Sequence, residues 1–274
     1  MRLQYRESKS KERVTEDRRS GTSLIFIFVE FGMLWLPLGQ QDFLIQHWMK
    51  LGLFMAPFLL FVAISFRSAT TKERRDMSIW SLVLLVVYIV HQFEEHWVDF
   101  FVNHYAFKSY LNDLVIERFG NAGQSVGPLS DAGVFAINTS LVWLVAILAI
   151  WKANRHSFPA LCLASIVWVN ACSHVAAALL TIEYNPGLLT AVILFFPMGT
   201  AAYLWSLRCE LVSVHEVIAS LIWGGLAHVI MIAGLLASGW FHIFPERVYF
   251  ALLVIWSILP VFLYRSKSAK AISI

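Results

Sequence analysis

The sequence predicts an all-α, polytopic membrane helix bundle. Hydrophobic residues make up 58% of the 274 residues, charged residues only 14%, and the mean hydropathy is +0.66. Soluble proteins contain about 25% charged residues. The apolar runs are continuous rather than alternating, which favours helices over strands, and a helix satisfies its own backbone hydrogen bonds inside a bilayer. We therefore expect an integral, multi-pass membrane protein.

Eight stretches are long enough to cross a bilayer, because about 20 apolar residues span its hydrocarbon core. We expect these spans at residues 22–38, 43–66, 79–102, 132–151, 159–182, 188–207, 216–238 and 247–264. They form one transmembrane domain, 22–264, between two basic tails, 1–21 and 265–274. Within the longest connection, the near-helical spacing of apolar residues over 107–119 predicts an interfacial helix.

Lysine and arginine are distributed unevenly between the two sides of the predicted bundle. Seventeen of the 21 lie in the tails and in connections on the same side. The other side holds Lys50, Lys108, Arg118 and Arg247. The positive-inside rule therefore predicts that both termini are cytoplasmic. We expect the basic tails to contact anionic membrane lipids, and we expect no nucleic-acid partner. The oligomeric state is left open.

The run His91-Gln92-Phe93-Glu94-Glu95-His96 lies inside the third predicted span. Ionisable side chains at membrane depth cost about 2.5 to 3.5 kcal/mol each, so such a cluster indicates a functional site. Glu94 and Glu95 follow His91 by three and four positions and therefore flank it on one helix face. We expect His91 and one glutamate to bind a metal, and the other glutamate to act as general base. His96 and Asp99 are expected at the solvated outer interface.

Depth along the helices indicates which residues join this run. At about 1.5 Å per residue, His91, His174 and His228 lie roughly 18, 24 and 18 Å from the inner ends of their spans, in the outer half of the bilayer. We expect His174 to be a metal ligand and Asn170, one turn before it, to orient its ring. A lone intramembrane His or Asn can instead be a simple helix contact. The further supporting candidates are therefore His228, Glu30 and Asn138.

Tyr184-Asn185-Pro186-Gly187 joins the fifth and sixth spans and predicts a tight turn. Proline presets the first central position of such a turn, and glycine supplies a positive φ at the second. Tyr184 is a further supporting residue of the candidate site.

These motifs resemble a family of membrane proteins named for an HXXEE motif. That family is recognised by the HXXEE run, a further histidine and a YXPG motif. The chain has His91 to Glu95, then His174, then Tyr184 to Gly187 in the same order. The resemblance covers residues 85–205 and implies that these positions matter, without supplying a reaction.

The parts of the site are also similar to those of CAAX-type intramembrane endopeptidases, which use a Glu-Glu pair and histidines from later helices. The corresponding residues here are Glu94, Glu95, His174 and His228. This chain departs from that pattern because no arginine follows the glutamate pair, where Asp99 is the nearest charge.

The first functional hypothesis is a membrane-embedded metalloenzyme. We expect a divalent metal, zinc with iron as the alternative, held by His91, His174 and one of Glu94 or Glu95, and hydrolysis of an amide or ester in an amphipathic or lipid-like substrate. A di-iron oxidoreductase that recruits Glu30 is a variant of this hypothesis.

Two other classes of function use the same residues differently. A transporter or channel would relay protons or bind a cation in passing. A metal-free isomerase or cyclase acting on a lipid would use Glu94 and Glu95 as proton donor and acceptor.

Overall fold

A computed structural model describes residues 38–69, 77–120, 127–153 and 156–263. Its elements are helices and their connections, as the continuous apolar runs predict. Six helices in these ranges are long and apolar enough to cross a membrane, over Asp42–Ser65, Ser78–His96, Asp131–Lys152, Phe158–Thr181, Leu188–Arg208 and Val214–Trp240. The described part of the chain is thus all-helical, and its long apolar helices are those of a multi-pass membrane protein. The predicted first span, Glu30 and both tails lie outside the described residues.

We number the helices in chain order. They are α1 (Leu38–Ala69), α2 (Ser78–His96), α3 (Ala106–Phe119), α4 (Asp131–Lys152), α5 (Phe158–Thr181), α6 (Leu188–Arg208), α7 (Val214–Trp240) and α8 (Glu246–Ile258). Helix α3 confirms the helix that the spacing over 107–119 predicts; its position at the membrane interface stays a prediction.

Helix α5 lies at the centre of the bundle. Its stretch from Ala160 to Val167 is buried on all sides, and it packs against α2, α4, α6 and α7. Small residues permit this close approach, because a Cβ added to Gly224 of α7 would lie 2.5 Å from the Ser165 hydroxyl of α5. Helix α1 packs against α2 on the other side. The candidate site is built on α2 and α5, which pack against each other inside the bundle.

Three helices contain a π-helical segment. These segments are Thr139–Leu144 in α4, Ala191–Phe195 in α6 and Leu236–Trp240 at the end of α7. A π-helical turn places residues five apart on one face, and such segments often occur at functional sites. Two of the three lie beside the candidate site, as described below.

Side-chain caps begin two of the spans. The Ser130 hydroxyl accepts a hydrogen bond from the Gly133 N–H at 2.9 Å at the start of α4, and Ser213 and Glu216 form a capping box at the start of α7. These bonds satisfy N–H groups that a helix leaves without partners. The two caps place the starts of α4 and α7 at Asp131 and Val214, close to the predicted starts at residues 132 and 216.

Two predicted span boundaries differ from the structure. The third span was expected to reach residue 102, but α2 ends at His96, because the side chain of Asp99 bonds Asn103 and reverses the chain. The eighth was expected over 247–264, but α8 ends at Ile258 in a 3₁₀ turn that contains Pro260. Thirteen helical residues extend about 20 Å, less than the roughly 30 Å of a hydrocarbon core.

Candidate metal centre

Helices α2 and α5 bring two histidines and one glutamate together. His91 and Glu95 lie one turn apart on α2, with the His91 Nε2 atom 3.4 Å from a Glu95 carboxylate oxygen. His174 on α5 places its Nε2 atom 3.5 Å from the other Glu95 oxygen. One ligand atom from each side chain lies within 4.8 Å of the other two, and all three residues are buried.

The hydrogen bonds of His91 fix which ring nitrogen faces the cluster. The Thr190 hydroxyl donates its single proton to Glu94 at 2.5 Å, so its oxygen accepts from the His91 Nδ1–H at 2.8 Å. The His91 Nε2 atom therefore carries the lone pair in the neutral ring. It is fully buried and has no hydrogen-bond partner.

His174 is oriented in the same way by Asn185. The Asn185 side-chain N–H₂ donates to the His174 carbonyl at 2.9 Å, which turns its carbonyl oxygen toward the His174 Nδ1–H at 2.6 Å. The Nε2 atom of His174 is thus also a lone-pair atom. Hydrogen bonds of this kind at Nδ1 commonly orient histidines that bind metals through Nε2.

A third imidazole, that of His96, approaches Glu95 at the end of a chain of hydrogen bonds. The indole N–H of Trp143 can only donate, and it donates to the Gln92 carbonyl oxygen at 3.1 Å. The Gln92 amide then donates to Asn138 at 2.9 Å, and the Asn138 N–H₂ donates to His96 Nε2 at 3.0 Å. His96 Nε2 therefore accepts, and it lies 3.0 Å from Glu95.

The centre of the site is consequently rich in lone pairs and poor in donors. Three imidazole Nε2 atoms lie 3.0, 3.4 and 3.5 Å from the Glu95 carboxylate oxygens, and the hydrogen bonds above assign acceptor character to each. Buried acceptors that face one another without a proton or cation between them are unfavourable. The arrangement could therefore hold a cation or a shared proton.

The donor set and its spacing fit a single metal ion. Zinc binds histidine nitrogens and carboxylate oxygens at about 2.0 to 2.1 Å, which places neighbouring tetrahedral ligand atoms about 3.3 Å apart. The separations of 3.4 and 3.5 Å, measured to different oxygens of Glu95, are close to this value, and the three ligand atoms all lie within 4.8 Å of one another. Two histidines and one carboxylate also form the ligand set of non-haem ferrous sites. Glu95, His91 and His174 could hold either ion.

Glu94 does not face this cluster. Its carboxylate accepts from the Tyr184 hydroxyl at 2.7 Å, from the Leu189 and Thr190 backbone N–H groups at 3.3 and 2.8 Å, and from the Thr190 hydroxyl. Negative charge at a helix N-terminus is stabilising, so Glu94 caps α6 from another helix. Glu94 was expected to be a ligand or a general base; in the structure it is not among the clustered ligands, and both of its oxygens accept hydrogen bonds from these donors.

The predicted turn brings Gly187 against both histidine rings. The Leu188 N–H donates to the Asn185 carbonyl at 3.0 Å, and Gly187 has φ +93°, as the Pro-Gly pair predicts. A Cβ at Gly187 would lie 2.8 Å from the His174 ring and 2.9 Å from the His91 ring. Glycine is therefore required here for its backbone conformation and for space.

Aromatic rings cover the cluster on two sides. The Phe195 ring lies 4.1 Å from that of His91, between ring centres, and Phe107 of α3 lies 5.1 Å from His96 and 6.3 Å from His174. An apolar surrounding excludes water and strengthens the electrostatic interactions inside. Thr190 and Phe195 flank the π-helical segment of α6, and both contact His91.

The supporting candidates divide into two groups. Asn138 joins the site through His96 and Gln92, and Tyr184 joins it through Glu94. Asn170 was expected to orient His174, but it donates to the Tyr88 hydroxyl instead, at 2.8 Å. His228 bonds its own helix at the Gly224 carbonyl and is not among the clustered ligands.

Residues that the sequence does not single out complete the site. Asn185, Thr190 and Gln92 are uncharged, and their polar contacts depend on helix packing. His96 and Asp99 were expected at a solvated interface, but both are buried. His96 could have been assigned to the site from its adjacency to Glu95 in the sequence. Asn185 could have been assigned to it from its position inside the Tyr-Asn-Pro-Gly turn.

The Tyr184 hydroxyl lies in the turn outside the spans. Burial, together with its hydrogen bond to Glu94, raises the pKa of Tyr184 above its ordinary value. The Phe100 N–H donates to the same hydroxyl at 3.2 Å. Tyr184 therefore acts as a neutral donor that ties the turn to Glu94.

An all-helical membrane protein with a buried site of two histidines and a glutamate is the class that the fold and geometry define. Residues 82–202 match the family model described as a protein of unknown function with HXXEE motif. This confirms the resemblance seen in the motifs. No curated protein and no solved structure gives a match, so the similarity to CAAX-type endopeptidases has no support.

Proposed function

We propose that this protein is a membrane-embedded, metal-dependent hydrolase that cleaves an amide or ester bond in an amphipathic or lipid-like substrate. The observation that carries the proposal is the convergence of the His91 and His174 Nε2 atoms on the buried Glu95 carboxylate, 3.4 and 3.5 Å away. His91, Glu95 and His174 would hold the ion. Zinc, when bound, acts as a Lewis acid that polarises a carbonyl and activates water.

The residues around the ion have separate roles in hydrolysis. Thr190 and Asn185 hold the rings of His91 and His174 with Nε2 inward. Water attacks the substrate carbonyl carbon, and His96 Nε2 takes the water's proton as it gives up the hydrogen bond that it accepts from Asn138. The same proton is then delivered to the leaving nitrogen or oxygen as the carbonyl–heteroatom bond breaks. Phe107 and Phe195 exclude bulk water.

Elemental analysis of the purified protein tests the metal. We expect about one zinc per wild-type chain in detergent, and a loss of bound metal in His91→Ala, His174→Ala and Glu95→Gln. His228→Ala is the matched control, because this histidine is half-buried in the bundle but bonds its own helix; it should keep the metal. Wild-type protein that is metal-free after expression in zinc-rich medium and after zinc reconstitution would refute the proposal.

Hydrolysis is tested with a panel of fluorogenic acyl esters and N-acyl amides in nanodiscs. A chelator should abolish cleavage, and zinc should restore it. His96→Ala should lower kcat by about 100-fold with unchanged metal content, since general-base catalysis typically contributes 10² to 10⁴. Equal kcat for wild type and His96→Ala would remove His96 from the reaction.

The ligand set favours one alternative reaction. Two histidines and one carboxylate suit ferrous iron and oxidation of a lipid as well as zinc and hydrolysis. In the described part of the chain only one carboxylate, Glu95, joins the clustered histidines, so a single iron fits better than the di-iron centre that would recruit Glu30. Iron rather than zinc in the elemental analysis, together with oxygen consumption, would select this alternative.

We also propose eight spans with both termini in the cytoplasm; the eighth would cross as a short helix, α8 with its 3₁₀ turn, around which the bilayer thins. The proposal is supported by the lysine and arginine distribution, with 17 of 21 on one predicted side. Fusion of alkaline phosphatase and of a fluorescent protein to the C-terminus tests the orientation, because each reporter is active on one side of the membrane only. Phosphatase activity at the C-terminus would contradict it.

A further inference from the structure

Two side-chain amides connect Trp143 of α4 to His96 at the end of α2. The Trp143 indole N–H donates to the Gln92 side-chain carbonyl at 3.1 Å, and the Gln92 amide donates to the Asn138 side-chain carbonyl at 2.9 Å. The Asn138 amide donates to the Nε2 atom of His96 at 3.0 Å. We name these four residues the amide network. Gln92, Asn138 and His96 are buried, so bulk water offers them no other partners.

The polarity of the amide network is fixed at two points. An indole N–H can only donate, and a backbone carbonyl can only accept. Trp143 therefore requires the oxygen of Gln92, and the Val134 carbonyl requires the amide nitrogen of Asn138, which donates to it at 2.9 Å. Turning either side-chain amide over would bring like atoms together, N–H against N–H or oxygen against oxygen. Asn138 consequently presents an N–H group to His96.

The packing of α1 and α4 holds Trp143 where the network begins. The π-helical segment of α4 brings Asn138 and Trp143, five positions apart, onto the same face. The Trp48 ring of α1 meets the Trp143 ring edge-on, with 6.0 Å between the ring centres. Gly52 of α1 leaves room for the indole, since a Cβ at Gly52 would lie 3.0 Å from it. Both helices therefore fix the position of the indole donor.

Two groups compete for the Nε2 atom of His96. The Glu95 carboxylate, 3.0 Å away, can only accept and would pair with an Nε2–H, whereas the Asn138 N–H requires an Nε2 atom without hydrogen. A neutral imidazole carries one N–H, either at Nδ1 or at Nε2. The two arrangements hold the same number of protons and differ in the tautomer of His96. Of the two tautomers, the one with a bare Nε2 can act as the general base.

We infer that Trp143 and Gln92 are positioning residues for the general base. Together with Val134 they orient Asn138, whose N–H places the imidazole proton of His96 on Nδ1 and leaves Nε2 able to take a proton from water. The Glu95 carboxylate is then left to the metal ion. This inference rests on the proposed hydrolase function and says how its base is kept in the reactive tautomer.

NMR of ¹⁵N-histidine-labelled protein in nanodiscs tests the tautomer without requiring activity, because bare and hydrogen-bearing ring nitrogens differ widely in chemical shift. The signals of His96 are those absent from His96→Gln. We expect a bare Nε2 in wild type. In Trp143→Phe, the Nε2–H tautomer should gain about 2- to 10-fold in relative population, the effect of one lost hydrogen bond.

The matched control is Trp223→Phe, because Trp223 is buried and its N–H has no acceptor among the described residues. This variant should keep the wild-type tautomer. An Nε2–H tautomer in wild-type protein that binds metal and cleaves substrate overturns the inference and leaves the hydrolase intact. A bare Nε2 in wild-type protein that is metal-free and inactive refutes the hydrolase and its base, while the assigned tautomer stands.

Hydrolysis of the fluorogenic acyl esters tests the catalytic consequence. Trp143→Phe should lower kcat by about 2- to 10-fold with unchanged KM and metal content, and Trp223→Phe should match wild type. In a His96→Ala background, which has no base to position, Trp143→Phe should have no further effect on kcat. Equal kcat in Trp143→Phe and Trp223→Phe, or the same loss with and without His96, overturns the inference.

Discussion

The carboxylate of Glu94 accepts hydrogen bonds from both the backbone N–H and the hydroxyl of Thr190, 96 residues further along the chain. This contact joins α2 to the first turn of α6 and also sets the ring of His91, because the Thr190 hydroxyl accepts from His91 Nδ1–H. The two adjacent glutamates of the motif consequently have different tasks. Glu94 holds two helices together, and Glu95 faces the histidines.

Exchanging each glutamate for glutamine should separate these tasks. Glu94→Gln should lower the free energy of unfolding by about 2 kcal/mol, because hydrogen bonds to a charged acceptor contribute about 1.5 to 3 kcal/mol, and should keep the metal. Glu95→Gln should lose the metal without destabilising the metal-free protein, because it removes a charge that faces lone pairs. Thermal unfolding and elemental analysis in detergent measure both effects. Loss of the metal in Glu94→Gln and its retention in Glu95→Gln would contradict the geometry.

Gly187→Ala should disrupt both histidines at once. The added Cβ would lie under 3 Å from each ring, and a non-glycine residue at this φ costs about 1 to 2 kcal/mol. We expect a lower melting temperature and at least tenfold weaker zinc binding by titration. Gly225→Ala is the matched control, since a Cβ there meets nothing within 4 Å. Equal effects of the two alanines would show that crowding at the histidines is not the cause.

Asn185→Ala should weaken zinc binding by about 10- to 100-fold, the usual effect of removing a residue that orients a metal-binding histidine. Asn170→Ala removes an asparagine at a similar depth that bonds Tyr88, so its zinc affinity should stay within about twofold. Competition with a fluorescent chelator measures both affinities. A larger loss of zinc affinity in Asn170→Ala than in Asn185→Ala would instead support the expectation, drawn from helical spacing, that Asn170 orients His174.

Stability should depend on pH through Tyr184. Because the folded state raises the pKa of this hydroxyl, the native protein holds its proton more tightly than the unfolded chain. The resulting stabilisation is complete below pH about 10 and declines at higher pH. The melting temperature of wild type should therefore fall more steeply from pH 9 to 11 than that of Tyr184→Phe. The control is Tyr105→Phe, at an exposed tyrosine, whose melting temperature should fall with pH as steeply as that of wild type. Equal slopes of melting temperature against pH in all three proteins would refute the effect of Tyr184.

The spans and the motif region were predictable because each depends on local sequence. Continuous apolar runs predicted the six described spans, and the pair Pro186-Gly187 predicted the turn. The end of α2 was not predictable from hydropathy, since residues 97–102 are largely apolar. Its position depends on the hydrogen bonds between Asp99 and Asn103, which form only when the chain reverses.

Within the site, helical periodicity predicted the face but not the direction of each side chain. His91 and Glu95 are one turn apart, and this spacing sufficed to place them together. Glu94 shares that face, yet the N-terminus of α6 provides it with stronger partners, and periodicity within α2 carries no information about α6. The partners of His174 and Asn170 were likewise decided by neighbouring elements, the 184–187 turn and Tyr88.

The π-helical segment of α4 accommodates one residue more than a regular helix would need here. Asn138 and Trp143 are five positions apart and both bond Gln92. In a regular α-helix they would diverge by about 140°, since each residue turns about 100°. Deleting one residue between them would leave four positions, or about 40° in a regular α-helix, so both side chains would still face Gln92. Natural variants in this stretch should accordingly tolerate a single-codon gap better than a single-codon insertion.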